Sequence, residues 1–317
     1  MMPDQRTLRV CYALVCNGWD RHAKMLWLSA QSLRRHEPRA RITIVTDPGT
    51  RRTLDNRLLP VADDVVEIDS ACDDPRLRAF HLKTLLRQHL DGDFLYIDTD
   101  TLVVNPIADV LDVDAEVAAA TDFNNDHEWF PPQLEKPYRR LGWPYPHPYY
   151  FNSGVHFMRD TPATRQFAKE WTRRWFLLVD EGMPGDQEAF VTALYASPVT
   201  WTRLSKNFNC IVVKQKYRFR EARILHFFGS AEEQRGTIME HLLQHLDATG
   251  SFDEESYRQC LKERHPWGPG RVIVGWAQPV SDGVSRSQCT PGSMPPRPPV
   301  EAAKPMTSAS IVEAMRM

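Results

Sequence analysis

Apolar runs of strand length and amphipathic stretches of helical period take turns over the first hundred residues. That alternation limits the possible folds more than any other feature of the chain. LRVCYALVC (Leu8 to Cys16) is a short apolar, β-branched run of buried-strand length. From Arg21 to His36 the residues Met25, Leu26, Leu28 and Leu33 recur at helical spacing, and Pro38 stops the pattern. Ile42 to Val45 reads as a second strand, closed by the turn residues Thr46-Asp47-Pro48-Gly49. Val65 to Ile68 is a third strand, Arg76 to His89 a second helix, and FLYI (Phe94 to Ile97) a fourth strand. Such a series argues for a parallel sheet covered by helices. Open sheets of this kind bind ligands beyond the carboxyl ends of their strands. Asn17 to Asp20, Thr46 to Gly49 and Asp98 to Asp100 all fall there, so the three segments are expected together in space.

The pattern changes after Asn105-Pro106. Ala115 to Ala120 reads as another strand. Phe123 to Phe151 is dense in aromatics and prolines, has no period, and is expected to be a long, partly ordered loop. Its Trp129, Phe130, Trp143, Tyr145, Tyr149 and Tyr150 suit either stacking platforms for a ligand or a buried cover over the sheet, and the sequence leaves both open. Regular structure resumes with Gly154 to Met158, a helix over Pro162 to Asp180, Ile224 to Phe228 and two amphipathic helices ending near Arg264. Residues 1–267 are expected to form one domain. The Pro, Ser, Gly and Ala rich stretch 268–317 has too little apolar content to fold alone and is expected to be a disordered tail.

A formal net charge of −2 supplies no overall field for nucleic acid or an anionic membrane. Any nucleotide bound is therefore expected to be a small molecule in a local site. The six cysteines lack metal-ligand spacing and give no sign of a disulfide framework. MMPDQRTLRV lacks the apolar segment of a signal peptide, and no run of eighteen apolar residues occurs. The expectation is a reduced, cytoplasmic protein without a transmembrane segment, peripheral at a membrane if it works on a lipid-linked partner.

FLYIDTDTLVV sets two carboxylates, Asp98 and Asp100, just after an apolar strand, where residues i and i+2 project to one side of an extended chain. Hard divalent cations take carboxylate oxygens together with substrate phosphates. Asp-x-Asp at a strand end therefore suits a metal–diphosphate bridge, with a solvated turn as the alternative reading.

FLYIDTDTLVVNP resembles the D-x-D segment of GT-A nucleotide-diphospho-sugar transferases. More narrowly, the chain resembles the retaining glycogenin-like family, glycosyltransferase family 8, and its plant and bacterial relatives, from about Val10 to Gly229. That resemblance implies an α/β fold of GT-A type, a Rossmann-like mixed sheet flanked by helices. It also implies metal-dependent transfer of a hexosyl or pentosyl group, with retention, from a nucleotide-diphosphate sugar, first of all a UDP-sugar. The acceptor would be a glycan, lipid or protein. Asp98, Thr99 and Asp100 would meet the donor, the two aspartates through the metal.

Four further blocks follow the family's order. YALVCNGWDRHAKMLWLSAQSLRRH implies that Leu14, Val15, Asn17 and Trp19 hold the base, with Asp47 a candidate for base or ribose. RAFHLKTLLRQHL implies a donor-facing Lys83, with Arg78 a second cation. YYFNSGVHFMRDT gives Asn152, Ser153 and Gly154 against the donor sugar, and PGDQEAF gives Asp186 and Gln187 near the anomeric carbon. A helix N-cap is the structural alternative for Asp186. ILHFFGS implies His226 as the third metal ligand, with Gly229 beside the donor. An imidazole favours Mn²⁺ over Mg²⁺. Where the family continues with a phosphate-binding lysine, this chain reads SAEEQRG, with Arg235 the following cation.

Two other functions fit the metal motif. A nucleotidyltransferase would carry a Gly-rich basic loop after its first strand, and CNGWDRH has one glycine. A non-catalytic sugar-nucleotide-binding protein would be expected to lack ligands, yet Asp98, Asp100 and His226 are all there.

Overall fold

The computed structural model describes residues 7–122, 128–212 and 219–268. All belong to the first of the chain's two compact units, Met1–Arg271. Apart from Gly268, the expected tail lies outside the described residues.

The elements run β1 (Arg9–Leu14), α1 (Arg21–His36), β2 (Arg41–Thr46), α2 (Pro48–Thr53), β3 (Asp64–Glu67), α3 (Pro75–His89), β4 (Phe94–Ile97), β5 (Thr101–Val103) and β6 (Val117–Thr121). They continue with α4 (Glu135–Arg140), β7 (Phe151–Met158), α5 (Pro162–Asp180), α6 (Gln187–Ala196), β8 (Trp201–Leu204), β9 (Cys210–Ile211), β10 (Ile224–His226), α7 (Ile238–Thr249) and α8 (Glu254–Glu263). One sheet of seven strands has the order β3-β2-β1-β4-β7-β6-β8, and a smaller one has the order β5-β10-β9. β1 to β4 pair in parallel, as the alternation implies, while β7 runs antiparallel to both β4 and β6. The sheet is therefore mixed.

Both of its faces are covered, which is why its strands read as continuous apolar runs. Along β1, Cys11 and Ala13 enter the core under α3, α5 and α6, while Val10, Tyr12 and Leu14 enter the one under α1. β4 splits in the same way, with Phe94 and Tyr96 on one face and Leu95 and Ile97 on the other.

Two expectations about local structure are corrected. Thr46-Asp47-Pro48-Gly49 does not simply turn. Asp47 accepts from Thr50 N at 2.6 Å and Pro48 takes the first position of α2, where its missing N–H costs nothing. The described part of the aromatic segment is not a loose loop either. Phe130, Tyr138, Trp143 and Tyr150 are buried in the main core. Phe130 meets Tyr138, Tyr145, His147 and Tyr150 edge to face, with centroids 5.3 to 5.8 Å apart. The cover reading describes them better than the platform reading, and among the six aromatics Tyr150 lines the cavity described next.

Candidate active site

At the carboxyl ends of β1 and β4 opens a cavity of 1190 Å³, just above the size of about 300–1,000 Å³ usual for small-molecule sites. Asp98 follows β4 directly. The chain then turns through Thr99 and Asp100 instead of continuing extended, so the two carboxylates do not share a strand face. The turn is needed because Thr101 begins β5, which belongs to the other sheet. Thr101 Oγ1 donates to Asp98 O at 2.8 Å, and Phe227 N donates to Asp100 O at 2.8 Å. In the β5–β10 register Thr101 stands opposite His226. A ligand more than a hundred residues away is thereby delivered beside the turn.

His226 Nε2 lies 3.3 Å from Asp100 Oδ1 and 3.7 Å from Asp98 Oδ2. One ligand atom from each of the three residues falls within 4.8 Å of the others. The donor set, two carboxylate oxygens and one imidazole nitrogen, suits Mn²⁺ or Mg²⁺ with substrate oxygens completing the shell. Burial pushes Asp98 up and outweighs the lowering by Lys83 and His226. Asp100 is held below the ordinary carboxylate range, because its burial is outweighed by His226. His226 itself is raised, its burial overcome by Asp100 and then Asp98.

Gly154 is demanded by this cluster. A Cβ on it would stand 2.4 Å from His226 Cε1, 2.5 Å from Asp98 Oδ2 and 2.9 Å from Asn152 Oδ1. Any side chain would push two of the three ligands aside.

Lys83, on α3, is 5% exposed. Its Nζ sits 3.2 Å from Asp98 Oδ1, 3.2 Å from Asp186 Oδ2 and 3.2 Å from Ser153 Oγ. The cation expected to reach the donor thus ties together the strand-end carboxylate and the one before α6. Asp186 occupies the N-cap position of α6, yet its side chain makes no capping hydrogen bond. Its backbone carbonyl accepts from Trp171 Nε1 at 3.0 Å, anchoring it to α5, and its carboxylate turns to Lys83.

No protein-family model matches the sequence, and no curated protein matches it. Solved structures resemble its fold. The galactosyltransferase LgtC, solved in complex with donor and acceptor sugar analogues, has a TM-score of 0.51 at 15% identity, covering 80% of this chain and 99% of that one. The bifunctional glycosyltransferase WbbM has a TM-score of 0.50 at 15% identity, covering 76% of this chain and 52% of that one. This chain has the GT-A nucleotide-sugar transferase fold.

In that GT-A frame, fifteen of the seventeen residues singled out from sequence line the one cavity. These are Leu14, Val15, Asn17, Arg78, Lys83, Asp98, Thr99, Asp100, Asn152, Ser153, Gly154, Asp186, Gln187, His226 and Gly229. Trp19 and Asp47 stand outside its lining. The indole of Trp19 packs edge-on to Trp27, 6.3 Å between centroids, with the Arg57 guanidinium 4.0 Å above it. It belongs to the packing around α1, where an indole gains more by burial than by lining a wet cavity. Asp47 is buried behind the wall, capping α2 and pairing with Arg78 at 2.7 Å.

Several lining residues carry no motif and were missed. Asp122 directly follows β6, and an apolar strand followed by an aspartate is itself the available signal. Tyr150 donates to Glu188 Oε1 at 3.1 Å, and burial holds the Glu188 carboxyl above its usual range, with Asp186 and Asp122 adding to the rise. Arg21, the first residue of α1, reaches Gln234 in the segment after His226. Arg235 is exposed and lies outside the cavity's lining.

Proposed function

We propose that this GT-A chain is a metal-dependent glycosyltransferase that moves a hexosyl or pentosyl group from a nucleotide-diphosphate sugar, first of all a UDP-sugar, with retention. The observation that carries the reading is the convergence of Asp98, Asp100 and His226 beside Lys83 and Asp186 in one cavity. A fold shared with two glycosyltransferases supports it. One of the two was solved with donor and acceptor sugar analogues, which fits a cavity able to hold both.

Asp98, Asp100 and Nε2 of His226 would hold Mn²⁺, or Mg²⁺ in its place. A cation bound there would neutralise charge on the departing diphosphate, an effect worth roughly several kcal/mol. Lys83 keeps Asp98 and Asp186 at a fixed separation, so neither carboxylate has to reorganise as charge develops. Asp186 supplies negative charge toward a positive anomeric centre, and Gln187 supplies its amide. Asn152 and Ser153 meet sugar hydroxyls. The turn Leu14 to Asn17 receives the base. Retention, hexosyl or pentosyl preference and a glycan, lipid or protein acceptor belong to the same proposal, as does a cytoplasmic location. Among the described residues no helix is long and apolar enough to cross a membrane.

A panel of nucleotide sugars, assayed for release of nucleoside diphosphate with Mn²⁺, with Mg²⁺ and with chelator, tests the reading. Release from at least one donor, lost with chelator and restored by Mn²⁺, is expected. No release from any donor overturns it.

A further inference from the structure

A line of five side chains, four of them buried, runs from the metal ligand to the Asp186-Gln187 pair. His226 Nδ1 lies 2.9 Å from Asn209 Oδ1, and Asn209 Nδ2 donates to Asn152 Oδ1 at 2.8 Å. Asn152 Nδ2 donates to Asp122 Oδ1 at 2.8 Å, and Gln187 Nε2 donates to Asp122 Oδ2 at 3.0 Å. An amide can be turned end for end and an imidazole can carry its proton on either nitrogen, so such a line has a direction only if something fixes it.

Two anchors fix it here. The backbone N–H of Gly154 donates to Asn152 Oδ1 at 2.8 Å, and a backbone N–H cannot become an acceptor. On the other side of Asn152 stands the carboxylate of Asp122, which accepts. Both require Asn152 to turn its oxygen toward Asn209. Asn209 must answer with its NH₂, which leaves its own oxygen facing His226 Nδ1. A reversed Asn209 would set oxygen against oxygen at 2.8 Å in a site where Asn209 is fully buried.

We infer that Asn209 is a positioning residue for the metal site. It fixes His226 as the Nδ1–H tautomer, so that the Nε2 lone pair faces Asp98 and Asp100. Asn209 comes from the short turn before β9, outside every segment that resembles the family's motifs. The inference rests on the metal-dependent reading above, because it concerns how His226 is prepared for the cation. Outer partners of this kind set ligand tautomer and orientation, and losing one typically costs about 10- to 100-fold in metal affinity.

The test is titration of Mn²⁺ into wild type, Asn209→Leu and Asn209→Asp, following free Mn²⁺ by its electron paramagnetic resonance signal, with melting temperatures alongside. Asn209→Asp keeps an acceptor for Nδ1–H while losing the donor to Asn152, and the oxygen it sets against Asn152 Oδ1 is expected to lower its melting temperature. This variant is expected to bind within about threefold of wild type, whereas Asn209→Leu binds about 10- to 100-fold more weakly. Equal affinity for Asn209→Leu and wild type overturns the inference. So does equal loss in both variants that tracks their melting temperatures, which is what a purely structural role would give. A wild type that binds no Mn²⁺ overturns the metal reading instead, and the two failures are thereby told apart. If neither variant folds, ¹⁵N-histidine spectra of wild type with Mg²⁺ decide, with His226 assigned by its absence from His226→Asn. A protonated Nδ1 is expected, and a protonated Nε2 overturns the inference.

Discussion

The wall that carries Asp98, Asp100 and His226 is made of charged groups from strand ends and from α3 and α6, whereas the wall formed by residues 128–150 is made of rings locked to one another. In the first, Asp98, Asp100, Asp186, Lys83 and His226 crowd within ion-pair distances, and Asp100 and Asp186 repel the charge of Asp98. In the second, Phe130, Tyr138, Trp143 and Tyr150 join the main core. Contrast between them separates what the molecule holds under electrostatic strain from what holds the molecule together. Substitution in the charged wall should cost function and spare stability, and substitution in the aromatic wall should do the reverse.

Asp100→Asn is the strongest attempt to break that contrast. It removes one ligand and is expected to abolish Mn²⁺-dependent donor binding and lower transfer by about 10³-fold or more. Its melting temperature should fall little, since the carboxylate favoured by His226 is also repelled by Asp98 and the amide keeps its size. A clear fall in melting temperature would make the charged wall structural.

Phe130→Ala addresses the other wall. Deleting this ring from its four edge-to-face neighbours should cost about 3 kcal/mol of stability, read from urea unfolding. Mn²⁺ affinity, measured well below the melting temperature, should stay unchanged. Lost metal affinity with stability intact would reverse the assignment of the two walls.

Asp186→Asn sharpens the contrast inside the charged wall. The side chain caps nothing, and Lys83 keeps Asp98 as a partner and can use the amide oxygen of the substituted residue, so stability should change little. Its charge would matter mainly as the transition state forms, so turnover should fall about 100-fold while the donor dissociation constant moves less than about threefold. Unchanged turnover at saturating substrates would remove Asp186 from the chemistry.

The same contrast explains what was legible in the sequence. The charged wall comes in part from strand ends, and strands announce themselves by their apolar runs, so Asp98 and Asp100 were found with the strand that presents them. His226 was found only through its resemblance to a family block, because its neighbour at Asp100 is set by the β5–β10 register. Lys83 is legible as a donor-facing cation only through the family resemblance, since a helical lysine read alone is usually solvated. Two carboxylates from separate elements draw it inward. The aromatic wall was illegible for a different reason. Its rings pack on partners scattered over 128–150 and on α6, and no period along the chain records such packing. Asn209 and Asp122 carry no motif at all, and only the folded chain brings them to Asn152.

Trp19 offers the smallest effect, and it tests whether a residue in the right segment has to be in the site. Its segment follows β1, where the base is expected, and an indole there suits base stacking. Stacking of a base on an aromatic is worth about 1–3 kcal/mol, so a stacked Trp19 replaced by leucine would weaken donor binding about 10-fold or more. Instead, Trp19 stands outside the lining, under the Arg57 guanidinium and against Trp27. Leucine keeps much of that burial and loses the cation–π contact, worth about 0.5–1 kcal/mol at a half-exposed site. Trp19→Leu should therefore lower stability by about that much and leave UDP affinity, measured calorimetrically with Mn²⁺, within about twofold of wild type. A tenfold loss of affinity would mean that Trp19 leaves Arg57 to meet the base, and the turn after β1 would then rearrange on binding.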